Sequence, residues 1–160
     1  MQRQLSSQAA AAKQIRQILK NAFPSTKFRV RSSGYSMGDS VDVDWTDGPT
    51  RDQVNKLVGH YQYGHFNGME DIYEYSNSRK DIPQTKFLML QRDISEQTYL
   101  ECFEYIKKHF VNCDHLESVH KADQKLMEYW HVWTAANLIN RSLCNFDLSN
   151  GVDVEAIFKC

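Results

Sequence analysis

Lys27-Phe-Arg-Val-Arg31 and Ser40-Val-Asp-Val-Asp-Trp45 both alternate charged or polar side chains with apolar ones. A period of two is the mark of a half-buried strand, because successive side chains leave opposite faces of the pleat. Between them, Ser32-Ser-Gly-Tyr-Ser-Met-Gly-Asp39 holds two glycines and is long enough to close an antiparallel hairpin with a flexible tip. Paired in this way, Phe28, Val30, Val41, Val43 and Trp45 face a core. Arg29, Arg31, Asp42 and Asp44 face away from it, where cross-strand ion pairs would each contribute ~0.2–1 kcal/mol.

Toward the N-terminus, Ser7 to Phe23 reads as an amphipathic helix stopped by Pro24, with Ala11, Ile15, Ile18 and Ala22 on one face. Lys13, Arg16 and Lys20 occupy the other face. Toward the C-terminus, Thr46-Asp-Gly-Pro-Thr50 is a turn, and Thr50-Arg-Asp-Gln53 has the form of a capping box that opens a helix to about His60, with Val54, Leu57 and Val58 buried. Ile72 to Tyr75 is a third strand. Lys86 to Arg92, apolar on both faces, reads as a central strand. Asp93 to Ser95 starts a helix to Phe110 that buries Leu100, Phe103, Ile106 and Phe110. Asn112 to His120 connects it to a long helix from Asp123 to Leu143, whose Trp130 and Trp133 belong to a core. Val152 to Phe158 docks as a strand or a short helix.

This order predicts an α+β fold: one domain over residues 1–160, with a small antiparallel or mixed sheet, an N-terminal helix, and C-terminal helices packed on the sheet. A chain of 160 residues buries about two-thirds of its unfolded surface and needs no staples. Its 41% hydrophobic and 24% charged residues are an ordinary globular mixture. Apolar runs such as Phe87-Leu-Met-Leu90 are far shorter than the roughly 20 residues of a membrane span, and the N-terminus lacks the apolar core of a secretory signal. The expected setting is therefore cytoplasmic, with no membrane partner.

Cys102, Cys113, Cys144 and Cys160 form no CxxC pair and read as free thiols. His109, Cys113, His115 and His120 lie near one another but follow no zinc spacing, so no metal and no cofactor are expected. Residues 1–38 hold seven bases and no acid, leaving −8 for the remainder against a net charge of −1. That asymmetry suits either a nucleic-acid footprint or internal ion pairs. Arg16, Lys20, Arg29 and Arg31 are its candidate binding residues, with Tyr35, Tyr61 and Tyr63 near enough to Arg31 to stack on nucleobases.

Neither a nucleophile elbow nor a phosphate-cradling glycine loop occurs. The richest stretch is Tyr63-Gly-His-Phe-Asn-Gly-Met-Glu-Asp-Ile-Tyr-Glu-Tyr-Ser-Asn77. His65 with Glu70, Asp71 and Glu74 has the groups for proton transfer or a small metal site. The same side chains serve equally to hydrogen-bond the backbone of a tight turn.

Three ordered blocks carry a family resemblance: Ala22-Phe-Pro with Lys27-Phe-Arg-Val-Arg-Ser32, Asp42-Val-Asp-Trp-Thr-Asp-Gly-Pro-Thr50, and Tyr63 to Asn77. Over roughly residues 9–95 the chain resembles the large polyvalent protein-associated domain of the twenty-ninth type, and 96–160 forms a helical extension outside the match. The resemblance implies a module of phages and conjugative elements, and supplies no catalytic residue. It concentrates around Asp47, His65, Asn67 and Asp71, which with Glu70 complete the candidate binding set. With no reaction motif in the chain, the expected function is non-enzymatic: docking on a host defence complex such as CRISPR or restriction machinery. The alternative is a nucleic-acid-binding module that escorts incoming DNA.

Overall fold

The computed structural model describes residues 5–109 and 135–158. The Trp130, Trp133, Phe110, Cys113, His115, His120 and Cys160 readings lie outside them, as does most of the expected helix from Asp123. The fold is α+β, and the chain groups into two compact units, Met1–Asp93 and Ile94–Cys160.

The first unit opens with α1, Ser7–Ala22. Its buried stripe is Ala11, Ala12, Ile15 and Leu19. Ile18 is half-buried and Ala22 exposed, so the helical face is rotated by about one residue from the expected one. Strands β1 (Arg29–Tyr35) and β2 (Gly38–Thr46) pair antiparallel with Val30 facing Val43. The eight-residue tip does not exist: both strands run through it, leaving Ser36 and Met37 as a two-residue connection. The core and outer faces fall as the alternation predicts, with Val41 and Val43 fully buried and Trp45 nearly so. Arg31 pairs with Asp44 at 2.9 Å, diagonally across the strands, while its direct neighbour is Asp42.

Helix α2, Arg51–Val58, starts on the capping box: the Gln53 amide donates to Thr50 Oγ1 at 3.2 Å and Gln53 Oε1 accepts from the Thr50 amide at 2.7 Å. Two of the helix's unpaired N-terminal donors are satisfied there. Val54 and Val58 are buried, whereas Leu57 is exposed. A 3-10 turn, Gly59–Tyr61, follows. The next two strands, β3 (His65–Asn67) and β4 (Ile72–Glu74), form their own two-stranded antiparallel sheet.

Strand β5 (Phe87–Asp93) joins β2 in parallel, giving a mixed sheet of order β1-β2-β5. It is thus an edge strand, and β2 is the central one. Both its faces are apolar for separate reasons: Leu88 and Leu90 turn to the core, while Phe87 and Met89 share the outer face with Asp42, and Met89 is 56% exposed. Helices α1 and α2 supply Ile15, Leu19, Val54 and Val58 to the core that the sheet's inner face completes.

The second unit is helical among the described residues: α3 (Glu96–His109), α4 (Ala135–Cys144) and α5 (Val154–Phe158). Its core joins Cys102, Phe103, Ile106, Ile139, Leu143, Leu148 and Ile157. Leu100, expected inside, is exposed. Burial raises the Cys102 thiol to about 11, which keeps it protonated and unreactive. No described helix is long and apolar enough to cross a membrane.

Candidate functional site

The stretch Tyr63 to Asn77 folds as a short hairpin anchored at the base by polar side chains. Asn77 Nδ2 donates to the carbonyls of His60 (3.1 Å) and Gln62 (2.9 Å). Gln84, nearly buried, donates to the carbonyls of His60 and Asn77 and accepts from the Arg79 amide. Gln62 Oε1 accepts from the Leu88 amide at 2.9 Å, tying the segment to the outer edge of β5. None of these side-chain amides stands out in the sequence, because their partners are backbone carbonyls and N–H groups that only the tertiary fold brings near.

Above this base, aromatic rings stack into a cluster. Tyr63 and Tyr75 lie parallel with centroids 5.6 Å apart, and Tyr73 stands edge-on to both and to Phe87. Gly64 permits the closure: a Cβ there would fall 2.1 Å from the Glu74 carbonyl oxygen. Lys86 spans the cluster and the β1–β2 tip, with its Nζ 5.0 Å above the Tyr73 ring and donating to the Met37 carbonyl at 3.1 Å. Asp39 Oδ1 holds this corner by accepting from Thr85 Oγ1 and the Lys86 amide, both at 2.7 Å. Burial, then the neighbouring Tyr63, Tyr75 and Asp39, pushes the Tyr73 hydroxyl up to about 12.

The hairpin exposes apolar side chains on both faces and at its turn, since Phe66 pairs with Tyr73 on one face and Ile72 with Asn67 on the other. Phe66 is 56% exposed, Met69 96%, Ile72 48% and Tyr75 67%, with Tyr35 and Met37 also exposed on the β1–β2 tip. Water covers such side chains on a short, tied-down hairpin at a cost, and a partner would cover them at a gain.

His65 lies on this hairpin, and of the three carboxylates expected with it Glu74 is the one beside it. Its Nε2 is 3.5 Å from Glu74 Oε2 and its Nδ1 3.1 Å from Ser76 Oγ, while Glu74 Oε1 accepts from Asn67 Nδ2 at 2.6 Å. Asn67 also accepts from the Met69 amide at 3.1 Å, which shapes the turn. Glu70 and Asp71 are exposed in that turn, where Asp71 takes a left-handed backbone with φ 53°. An imidazole between a hydroxyl and a carboxylate has the parts of a proton relay, but here the imidazole is open to solvent, its side chain 56% exposed.

Asp47 is not part of this group. It occupies the turn after β2, at φ 54°, with its carbonyl accepting from Arg92 Nε at 3.0 Å. The Lys86 corner lies at the opposite end of β2, roughly 25 Å away at the usual rise per residue. The basic candidates divide similarly. Arg16 donates to the Val30 carbonyl at 2.8 Å and Arg31 is paired with Asp44, whereas Lys20 and Arg29 are exposed. Among the described residues, no group of three or more His, Cys, Asp or Glu side chains is placed to hold a metal.

In the second unit, an open groove of about 900 Å³ runs along α3 and α5, lined by Leu100, Glu104, Tyr105, Lys108 and Val154 among others. It carries a mixture of apolar and both charged types, with no convergent polar constellation to suggest chemistry.

Against known proteins, the family model described as Large polyvalent protein associated domain 29 matches residues 6–104. That span contains both sheets, the aromatic hairpin and most of α3. No curated protein and no solved structure matches the chain.

Proposed function

This chain belongs to the Large polyvalent protein associated domain 29 family, a phage- or mobile-element-associated module, and from that premise we propose that it acts as a non-catalytic docking protein of such an element. Its partner on this reading is a bacterial defence complex, such as CRISPR or restriction machinery, which it binds and inhibits inside the host cell. The observation that carries the docking reading is the β3–β4 hairpin, with Phe66, Met69, Ile72 and Tyr75 exposed on its two faces and turn over a tightly tied base. Aromatic and methionine side chains are enriched at interface centres, and a surface already held in shape loses little entropy on binding.

The test is co-expression with individual CRISPR and restriction systems, scored by phage plaques or transformants, together with co-purification of the host complex. The wild-type chain rescues phage or plasmid in at least one system and retains its target; Met69→Asp with Phe66→Asp, on a chain that still melts cooperatively, loses both. No rescue and no co-purifying complex across the systems would remove the reading.

The nucleic-acid reading draws on Lys13, Lys20 and Arg29, all exposed. It predicts binding to a short duplex or single strand that weakens steeply with salt. Absence of binding at low salt removes it.

A further inference from the structure

The pairing of β1 with β2 fixes which of its backbone groups point away from the sheet. In a hairpin with a two-residue connection, Tyr35 and Gly38 exchange the first pair of hydrogen bonds, and the bonded pairs then recur at every second residue. Val30, Ser32 and Gly34 therefore turn their N–H and C=O groups outward, along the free side of an edge strand. The position of Arg16 agrees with this parity, since its guanidinium reaches the Val30 carbonyl from α1. Ser32 and Gly34 pair with no described backbone, and every residue from Arg31 to Tyr35 is exposed.

Bases flank this edge on α1 and on β1, and the acids nearest them, Asp42 and Asp44, stand one strand further in, on β2. Lys13 and Lys20 lie three before and four after Arg16 on the same helical stripe, so they run along the side of α1 from which Arg16 reaches the edge. Arg29 and Arg31 stand on the outer face of β1 itself. Within residues 1–38 no acidic side chain offsets them; Asp44, from β2, pairs with Arg31 alone among these bases.

We propose that the free edge of β1 is a docking site for an extended, acidic segment of a partner protein, which adds to the sheet as a further strand. The ladder at Ser32 and Gly34 offers alternating donors and acceptors, which another peptide backbone complements. A phosphate backbone presents acceptors alone and would meet the Ser32 and Gly34 carbonyls unfavourably. A second copy of β1 would set Arg29 and Arg31 against their own kind, which disfavours self-pairing. Ser32, Ser33 and Gly34 carry small side chains, and the group nearest Gly34, the Gln8 side-chain amide, is the far end of a flexible side chain that can swing aside. Its glutamates or aspartates would lie between the lysines of α1 and the arginines of β1. This site uses other residues than the hairpin surface, so either can fail without the other.

The probe is a seven-residue peptide alternating glutamate and valine, titrated into the full chain at low salt. Three controls accompany it: the same peptide N-methylated at alternate amides, its lysine counterpart, and a short DNA duplex. The acidic peptide binds, N-methylation on the pairing side weakens it about tenfold or more as two backbone bonds are lost, and the lysine peptide does not bind. Ser32→Pro, which removes an outward donor, weakens it similarly. Should that variant fail to fold, amide exchange on the wild-type chain replaces it: the Ser32 and Gly34 amides slow when peptide is added. Equal binding of the N-methylated peptide, no slowing at these two amides, or no binding of the acidic peptide overturns the proposal. So does displacement of the peptide by the duplex, or a concentration-dependent dimer that Ser32→Pro abolishes.

Discussion

Gly64 lies against the backbone of Glu74 so closely that a methyl group at its α-carbon would stand 2.1 Å from the Glu74 carbonyl oxygen and 2.5 Å from Tyr73 Cε1. The nearer atom belongs to β4's own backbone and cannot swing aside like a side-chain end. Gly64→Ala therefore pushes β3 and β4 apart and opens the aromatic cluster, at a cost of about 1–3 kcal/mol typical of overpacking. A thermal melt measures it, with Gly68→Ala as the comparison: the nearest atom to a Cβ at Gly68 is 4.0 Å away, and its φ lies outside the left-handed region. Equal melting temperatures for the two variants would show that the contact is not a constraint.

Val43 and Asp44 are adjacent in β2 and answer to different environments. Val43 is fully buried against Val30 and the α1 stripe, so Val43→Asp leaves a carboxylate with no water and no partner, a loss of several kcal/mol or an unfolded chain. Asp44→Asn removes one exposed pair with Arg31 and costs less than about 1 kcal/mol. Denaturant unfolding of both variants checks the strand register; a larger effect from Asp44→Asn would contradict it.

Those two residues also show what the sequence made legible. Alternation at 27–31 and 40–45 revealed the hairpin and its two faces, and Thr50 with Gln53 revealed a helix start, because both signals are local. The position of β5 was not legible. Phe87 and Met89 look like core residues, yet Phe87 packs against Tyr73 of the hairpin and Met89 is exposed, so their hydrophobicity reports a surface and not a second buried face. Parallel pairing of β5 with β2 is likewise a non-local event with no mark in either strand. At the candidate site, His65, Asn67 and Glu74 could be named as polar groups on a glycine-bracketed turn. Which carboxylate would meet His65 depends on the β3–β4 register, and that places Glu74 opposite His65 and leaves Glu70 and Asp71 in the turn.

Gln84 supplies the third prediction. Its amide serves the His60 and Asn77 carbonyls and the Arg79 amide while the residue is 6% exposed. Gln84→Leu keeps much of the volume and removes all three bonds, leaving the His60 carbonyl to Asn77 and orphaning the others. A loss of about 2–4 kcal/mol is expected, at ~1–3 kcal/mol per buried group left unsatisfied with partial relief by water. Proteolysis checks where the loss falls, since cleavage should concentrate between Tyr63 and Gln84 before the rest of the first unit yields. Cleavage starting in β1 or β2 would place the weakness elsewhere.

Tyr73 gives a pH dependence with a definite sign. Its hydroxyl is pushed up to about 12 from the ordinary 10.0, first by burial and then by Tyr63, Tyr75 and Asp39. The folded chain thus keeps this proton over a range in which the unfolded chain has lost it. The associated stability is fully present below pH 10 and falls as pH rises from there through 12. Tyr61 and Tyr63 are raised in the same direction, so the chain should lose stability steeply in alkali. Tyr73→Phe removes one ionising group and also the hydroxyl's bond to the Lys86 carbonyl, which costs about 1 kcal/mol at neutral pH. Its stability should then decline less than the wild type's across the alkaline range, as read by denaturant unfolding at stepped pH. An ultraviolet titration of the folded wild type should show a phenol ionising near 12 that the variant lacks; a phenol lost from the region near 10 instead would overturn the assignment.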